Sequence, residues 1–423
     1  MRWLFSKKIV FLCVLLAGMI SLSNMTSGIV NAAGNEVKPA FAPATIAVVR
    51  DYEDPRIRKL AEMLVNYSVS LKKGEKILLS INNENSVPLA KAIIDEVYRM
   101  GGIPFLEMGD ERLNRALYFG LTAEQCQLML SWDSLKYGSM NALLFLNSVN
   151  NSAEYSDVPT EKINIGSKYY DGPLNNQILS SKIRWCLLGI PSSGMAQKAD
   201  MSTEAYTDFY YKVCTVDYGK LAKAMEPLIR LMKVTDKVRI VGPGTDLTFS
   251  IKNIPSVACT GHINIPDGEL YTAPVKNSVN GTLTINQPSK RYGVTYQDIR
   301  LKFKDGKIVK ATANYSEKLN LILDTDEGAR YLGEFSFGLN PYIEKPMNNL
   351  LFDEKIAMSF HIAIGNSYPN ADNGNHSGLH WDLVCIQTPE FGGGEIWFDG
   401  KLIRKNGLFV LPELLGLNPE NLK

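Results

Sequence analysis

Apolar residues recur along the chain with two different periods, and the change falls near residue 235. After Asp54-Pro55, a helix-start pair, Ile57, Leu60, Met63 and Leu64 return at helical spacing. Lys76–Ile81 reads as a short apolar strand. Ser86 is placed to cap a second helix with Ala90, Ile93, Ile94 and Val97 on its apolar face, and Gly101-Gly102 stops it before a strand at 103–106. Strand, helix and strand within ~30 residues make a βαβ unit, which requires parallel pairing. Residues 142–146 and 185–189 supply further buried strands. An amphipathic helix over 217–232 closes this half, with Leu221, Ala224, Met225 and Leu228 on one face and a kink expected at Pro227.

Beyond this point the pattern changes to short alternating runs separated by turn signals, at 238–241, 247–251, 281–285, 299–303 and 307–311. Asp305-Gly306 between the last two is a hairpin signal. The expected fold class is therefore α/β plus β. Residues 51–235 form an α/β domain with a largely parallel sheet, and residues 236–423 form a mainly antiparallel β domain. The 45% of hydrophobic residues among 423 suffices for a sizeable core.

Residues 1–32 stand apart from both halves. Arg2, Lys7 and Lys8 precede a nearly unbroken apolar run over 9–22, and Val30-Asn31-Ala32 suits cleavage after Ala32. This is the layout of a secretory signal peptide. A membrane anchor is the other reading, but the run is shorter than the ~20 residues of a spanning helix. The mature chain is expected outside the cytoplasm (secreted, periplasmic or wall-associated) with no stable membrane span. Residues 33–50, with Pro39 and Pro43, read as a linker.

The chain carries 45 basic and 44 acidic residues; without residues 1–32, which hold three basic residues and no acidic one, the net charge moves from +1 to −2. Such a balance gives no argument for a nucleic-acid partner. Cys126, Cys186, Cys214, Cys259 and Cys385 are odd in number and widely spread, which fits neither a zinc-binding pair nor a disulfide framework. Buried free thiols are expected.

All four histidines, His262, His361, His376 and His380, lie in the second half. His380 and Asp382 are two residues apart, which on a strand puts both side chains on one face. An imidazole beside a carboxylate suits a divalent metal, although a hydrogen-bonded pair that only orients the strand has the same spacing. His361 sits in an apolar strand and needs a partner, either a metal or a backbone carbonyl. Glu334 is flanked by hydrophobic residues, where a carboxylate without a cation is costly. Glu269, in a turn leading into a strand, taken alone reads as a surface residue. Two histidines and three carboxylates in one domain make a two-metal site physically reasonable.

Several segments, in order, resemble the thermophilic aminopeptidase T family: GHINIPDGELYTAPVKNSVNG, YLGEFSFGLN, LFDEKIAMSFHIAIGNSY and NHSGLHWD, with LLSINNENSVPLAKAIIDEVYRMGG in the first half. The resemblance spans essentially the whole mature chain. It implies Glu269, Glu334, His361, His380 and Asp382 as metal ligands, and Tyr368, seven residues after His361, as a catalytic tyrosine. It implies two divalent ions (zinc, cobalt or manganese), a metal-activated water, peptide substrates whose N-terminal residue is removed, and a homodimer. His262 and His376 are not family ligands and read as polar residues near the site. Family members usually lack a signal peptide; the one read here departs from that pattern and makes an external substrate pool the expectation. Two other readings stay open. Relatives of the fold resemble mononuclear iron dioxygenases that open hydroxylated pyridine rings, for which His361, His380 and Asp382 suffice. A secreted relative that binds peptide or metal without turnover is the other.

Overall fold

The computed structural model describes residues 54–423; the expected signal segment, 1–32, and linker, 33–50, lie outside the described residues. Helix α1 (Pro55–Met63) starts where Asp54 accepts the Arg56 amide, with proline in its first turn, where a missing N–H costs nothing. Strands β1 (Lys76–Ile81), β2 (Ile103–Met108), β3 (Ala142–Ser148) and β4 (Arg184–Ile190) pair parallel in the order β2-β1-β3-β4. Helix α2 (Val87–Arg99) crosses from β1 to β2, and Gly101 ends it with a positive φ of 72°. Ser86 does not cap this helix. Its hydroxyl is fully buried and donates instead to the Leu146 carbonyl, tying the helix start to β3.

A parallel strand is normally covered on both faces. The edge strand β2 departs from this, with Ile103, Phe105, Leu106 and Met108 exposed. The helices that follow it, α3 (Glu111–Gly120) and α4 (Ala123–Gly138), also expose apolar residues: Leu113, Leu117, Leu128, Trp132 and Leu135. Helix α5 (Tyr218–Val234) starts at the Asp217 cap and runs through Pro227 as one helix.

The second half is antiparallel. An eight-stranded sheet includes Lys237–Gly242, Thr245–Ser250, Asn280–Thr284, Arg300–Lys304 and Lys307–Thr312. Asp305 and Gly306 both take positive φ, 49° and 86°, as a two-residue hairpin turn requires. A second sheet orders β9 (His380–Ile386), β8 (Ser359–Gly365), β7 (Leu332–Gly338), β6 (Glu269–Thr272) and β5 (Val257–Cys259) side by side. The two-residue strand Asn264–Ile265 leaves this half and adds parallel to β4.

Alternation decides what each face of the five-stranded sheet carries. Phe335 and Phe337 turn toward the eight-stranded sheet, with ring centroids 5.1 Å from Phe249 and 6.3 Å from Phe398. Glu334 and Ser336 therefore face the other way. β7 and β8 are buried along their whole length, so their polar residues cannot reach bulk water. The register slips by one residue between Leu332 and Glu334, a bulge that re-aims Glu334. Gly333 occupies it because a Cβ there would stand 2.1 Å from the Asn366 carbonyl oxygen. Gly333→Ala is expected to cost about 1–3 kcal/mol of stability, measured by denaturant unfolding; an unchanged midpoint would show that the bulge yields freely.

Candidate metal centre

Glu269 and Tyr271 of β6, Glu334 and Ser336 of β7, His361 of β8, and His380 and Asp382 of β9 share one face of the sheet through strand alternation and cross-strand register. The expected coincidence of His380 and Asp382 on one face holds. Glu269 is buried, not at the surface, because β6 lies between β5 and β7 within the sheet.

Donor atoms from Glu269, Glu334 and His361 lie within 4.8 Å of one another, and so do those from Glu334, His380 and Asp382. Glu334 belongs to both groups. His361 Nε2 is 3.2 Å from Glu334 Oε1 and 3.3 Å from Glu269 Oε2. His380 Nε2 is 3.5 Å from Glu334 Oε2 and 3.4 Å from Asp382 Oδ1. His380 Nδ1 meets the Asn366 carbonyl at 2.8 Å, which leaves Nε2 free to act as a neutral ligand.

The electrostatics follow from burial and proximity. Burial alone would lower both histidine pKa values. For His361 the hydrogen bond to Glu334 and the charge of Glu269 outweigh it, raising the value to about 9. For His380, Asp382 and Glu334 raise it to about 11. Burial pushes the Glu334 carboxyl up, but the two histidines leave it below its ordinary value. Burial likewise opposes ionisation of Glu269, where Lys355 and His361 prevail.

Lys355 was not singled out by the sequence reading, and it is fully buried. Its Nζ lies 2.7 Å from Glu269 Oε1 and 2.5 Å from Glu354 Oε1. Burial outweighs Lys355 at Glu354 and raises that carboxyl to about 8. A lysine directly after Asp353-Glu354, six positions before His361 in an apolar strand, is its trace in the sequence. Lone, it reads as an ordinary surface charge.

Tyr368, in the turn after β8, packs tilted with its ring centroid 4.6 Å from His380 and 5.6 Å from Tyr271. Surrounding protein and the carboxylates of Asp382 and Glu334 raise its hydroxyl pKa, while 42% of the residue stays exposed. His262 lies elsewhere, stacked on Tyr67 at 4.6 Å, and His376 is exposed on the loop before β9; neither joins the two groups. A third grouping, Cys259, Asp267 and Glu269, is less suited to a cation, because Asp267 accepts the Gly261 and Gly268 amides.

The donors fit divalent cations. His380 Nε2, Asp382 Oδ1 and His361 Nδ1 are buried without a hydrogen-bond partner, a state that native proteins rarely leave uncompensated. Mixed imidazole and carboxylate ligands suit zinc and its neighbours. A cavity of about 410 Å³ borders this cluster at Asp382.

Known proteins share the family and the fold. The family described as thermophilic metalloprotease (M29) matches residues 53–407. Aminopeptidase 2 of Geobacillus stearothermophilus is 27% identical over 402 residues, covering 84% of this chain and 95% of that protein. Wild-type AmpT from Thermus thermophilus superposes with a TM-score of 0.70 at 21% identity, over 84% of this chain and 99% of that one. The 2,5-dihydroxypyridine dioxygenase of Pseudomonas putida shares the fold more loosely, with a TM-score of 0.54 at 12% identity, over 85% and 98% of the two chains. Likeness at such identities speaks to the fold alone.

A pH dependence follows from the histidines. In the metal-free protein their raised pKa values contribute stability in full below the ordinary imidazole value of ~6.5. That contribution is lost as pH rises through about 9 for His361 and about 11 for His380. Zinc uptake at pH 7 is expected to release about two protons, and zinc affinity should climb as pH rises toward 9. Titration calorimetry in two buffers of different ionisation heat counts the protons; none released would contradict this electrostatic picture.

Proposed function

The chain belongs to the thermophilic metalloprotease family, and from that premise we propose that it removes N-terminal residues from peptides at a pair of divalent ions. The observation that carries this reading is the place of Glu334 in both donor groups, which suits a carboxylate bridging two ions. Glu269 and His361 would hold one ion and His380 and Asp382 the other, with zinc, cobalt and manganese all suited to these ligands. Ions bound there supply a water of lowered pKa and a Lewis acid for the scissile carbonyl.

The protein's own groups do the rest. Tyr368 keeps its proton and stands half-open beside His380, where its hydroxyl can donate to the developing oxyanion. Lys355 holds Glu269 ionised and in place. Glu354, raised to about 8, is a carboxyl beside this cluster suited to exchanging a proton near neutral pH. The dioxygenase reading needs only two histidines and one carboxylate around iron. Glu269 and Glu334, buried in the same cluster, would then have no task, which favours hydrolysis.

The signal-like pattern of residues 1–32 supports work outside the cytoplasm on external peptides. Among the described residues, no helix is long and apolar enough to cross a membrane. The exposed apolar surface of β2, α3 and α4 supports a homodimer, since uncovered patches of this kind mark interfaces.

Two experiments test these points. The first follows p-nitroaniline release from leucyl p-nitroanilide after chelation and re-addition of zinc, cobalt or manganese. Metal-dependent release is expected, abolished in Glu334→Ala and His380→Ala. Tyr368→Phe should keep its metal and lose ~100- to 1000-fold in rate. Metal binding with no release from any aminoacyl group would sink the peptidase reading. The second is light scattering after gel filtration. The protein should run as a dimer, and Trp132→Glu with Leu135→Glu should shift it to a monomer.

A further inference from the structure

The cavity that borders Asp382 is lined by more cations than carboxylates. Lys198, Lys290 and Arg291 line it together with Asp353, Trp381 and Asp382. Among the described residues, none of these three cations forms an ion pair with a carboxylate. Lys198 comes from the α/β half, on the short helix Ser193–Lys198 that follows β4. Ligands of parallel α/β sheets bind beyond the carboxyl ends of the strands, where this helix lies. Lys290 and Arg291 come from a hairpin strand, Ser289–Arg291, in the β half.

Asp353 offsets them only in part. Its oxygens accept the Met347 and Asn349 amides at 2.6 and 3.1 Å, and its charge also acts on Lys198. Lys198 is half-buried, and burial together with the charge of Lys290 lowers its pKa. Three cations thus line the cavity against two carboxylates, Asp353 and Asp382. Arg291 donates through Nη1 to the His380 carbonyl at 2.9 Å, while its buried Nε has no partner. An excess of cations beside an unsatisfied buried donor marks the place of an anionic group.

We propose that this cavity receives a carboxylate of the peptide substrate, and that Lys198 and Lys290 select peptides that carry one within reach of the donor cluster. The inference rests on the peptidase reading above. A peptide offers a carboxylate from two sources: the side chain of an N-terminal Asp or Glu, or the C-terminal end of a di- or tripeptide. Both have the same chemistry, and both are held by charge-assisted hydrogen bonds to ammonium groups.

Substrate pairs that differ only in that charge separate the sources. Glutamyl and glutaminyl p-nitroanilide probe the N-terminal side chain; leucyl-leucine and its C-terminal amide probe the chain end. In at least one pair the charged member should be favoured by about tenfold or more in kcat/KM, chiefly through KM. The preference should shrink as salt is raised. In Lys198→Met combined with Lys290→Met the ratio should fall toward one, and Lys198→Arg with Lys290→Arg should restore it. The ratio is internal to each protein, so a variant of lowered overall turnover is still read. The single exposed-site change Lys290→Ser serves if the double variant does not fold. No preference in either pair, or a preference that survives loss of both lysines, overturns the proposal. If leucyl p-nitroanilide and every peptide resist cleavage, the peptidase reading itself falls. Calorimetry with glutarate against glutaramide then decides the cavity separately: glutarate binding lost with the lysines supports it, and no binding overturns it.

Discussion

Burying a carboxylate costs several kcal/mol unless a cation meets it, and the face formed by β6 to β9 buries three within reach of one another. Everything around that face answers this cost. His361 and His380 stand between the acids, Lys355 closes on Glu269 from the side, and the strands that carry them lie deep between other layers. The opposite face is given to phenylalanines that pack against the eight-stranded sheet. Alternation along β7 therefore does two tasks with adjacent residues: Phe335 and Phe337 build a dry core, and Glu334 and Ser336 face the charged cluster.

Placement within the face depends on backbone detail more than on side-chain choice. The bulge at Gly333 turns Glu334 to where it belongs to both donor groups. Gly365 permits the strand end to pass 2.1 Å from the Leu379 carbonyl, measured from where a Cβ would sit, so that β8 and β9 stay in register at His380. The α/β half adds a wall. Asn340 donates to the carbonyls of both Val213 and Asp267, and the Tyr218 hydroxyl accepts the Asp267 amide, so α5 and its approach are tied to the turn before Glu269.

Local features were legible in the sequence wherever the signal was itself local. The βαβ unit at 76–108, the Asp305-Gly306 hairpin and the shared face of His380 and Asp382 depend on residues close together in the chain. Four buried free thiols, with Cys259 half-buried, follow from the apolar runs around them. Convergence was not legible from spacing. Glu269 and Asp382, more than a hundred residues apart, each reach Glu334, and only the resemblance put them in one set. Glu269 read as a surface residue because burial is decided by which strands flank β6, which no window around it contains. Lys355 escaped for the same reason, and the bare edge of β2 escaped because an apolar strand looks alike whether a neighbour covers it or not.

Lys355 also sets the polarity of the centre. Glu269, Glu334 and Asp382, when ionised, bring three negative charges and Lys355 returns one, so with both histidines neutral the face carries a deficit of two. In the metal-free protein the two charged imidazoles meet that deficit, so a cation can enter only as protons leave. Positive charge beyond two would have to bring an anion with it, because charges held close together in a buried site are strongly felt.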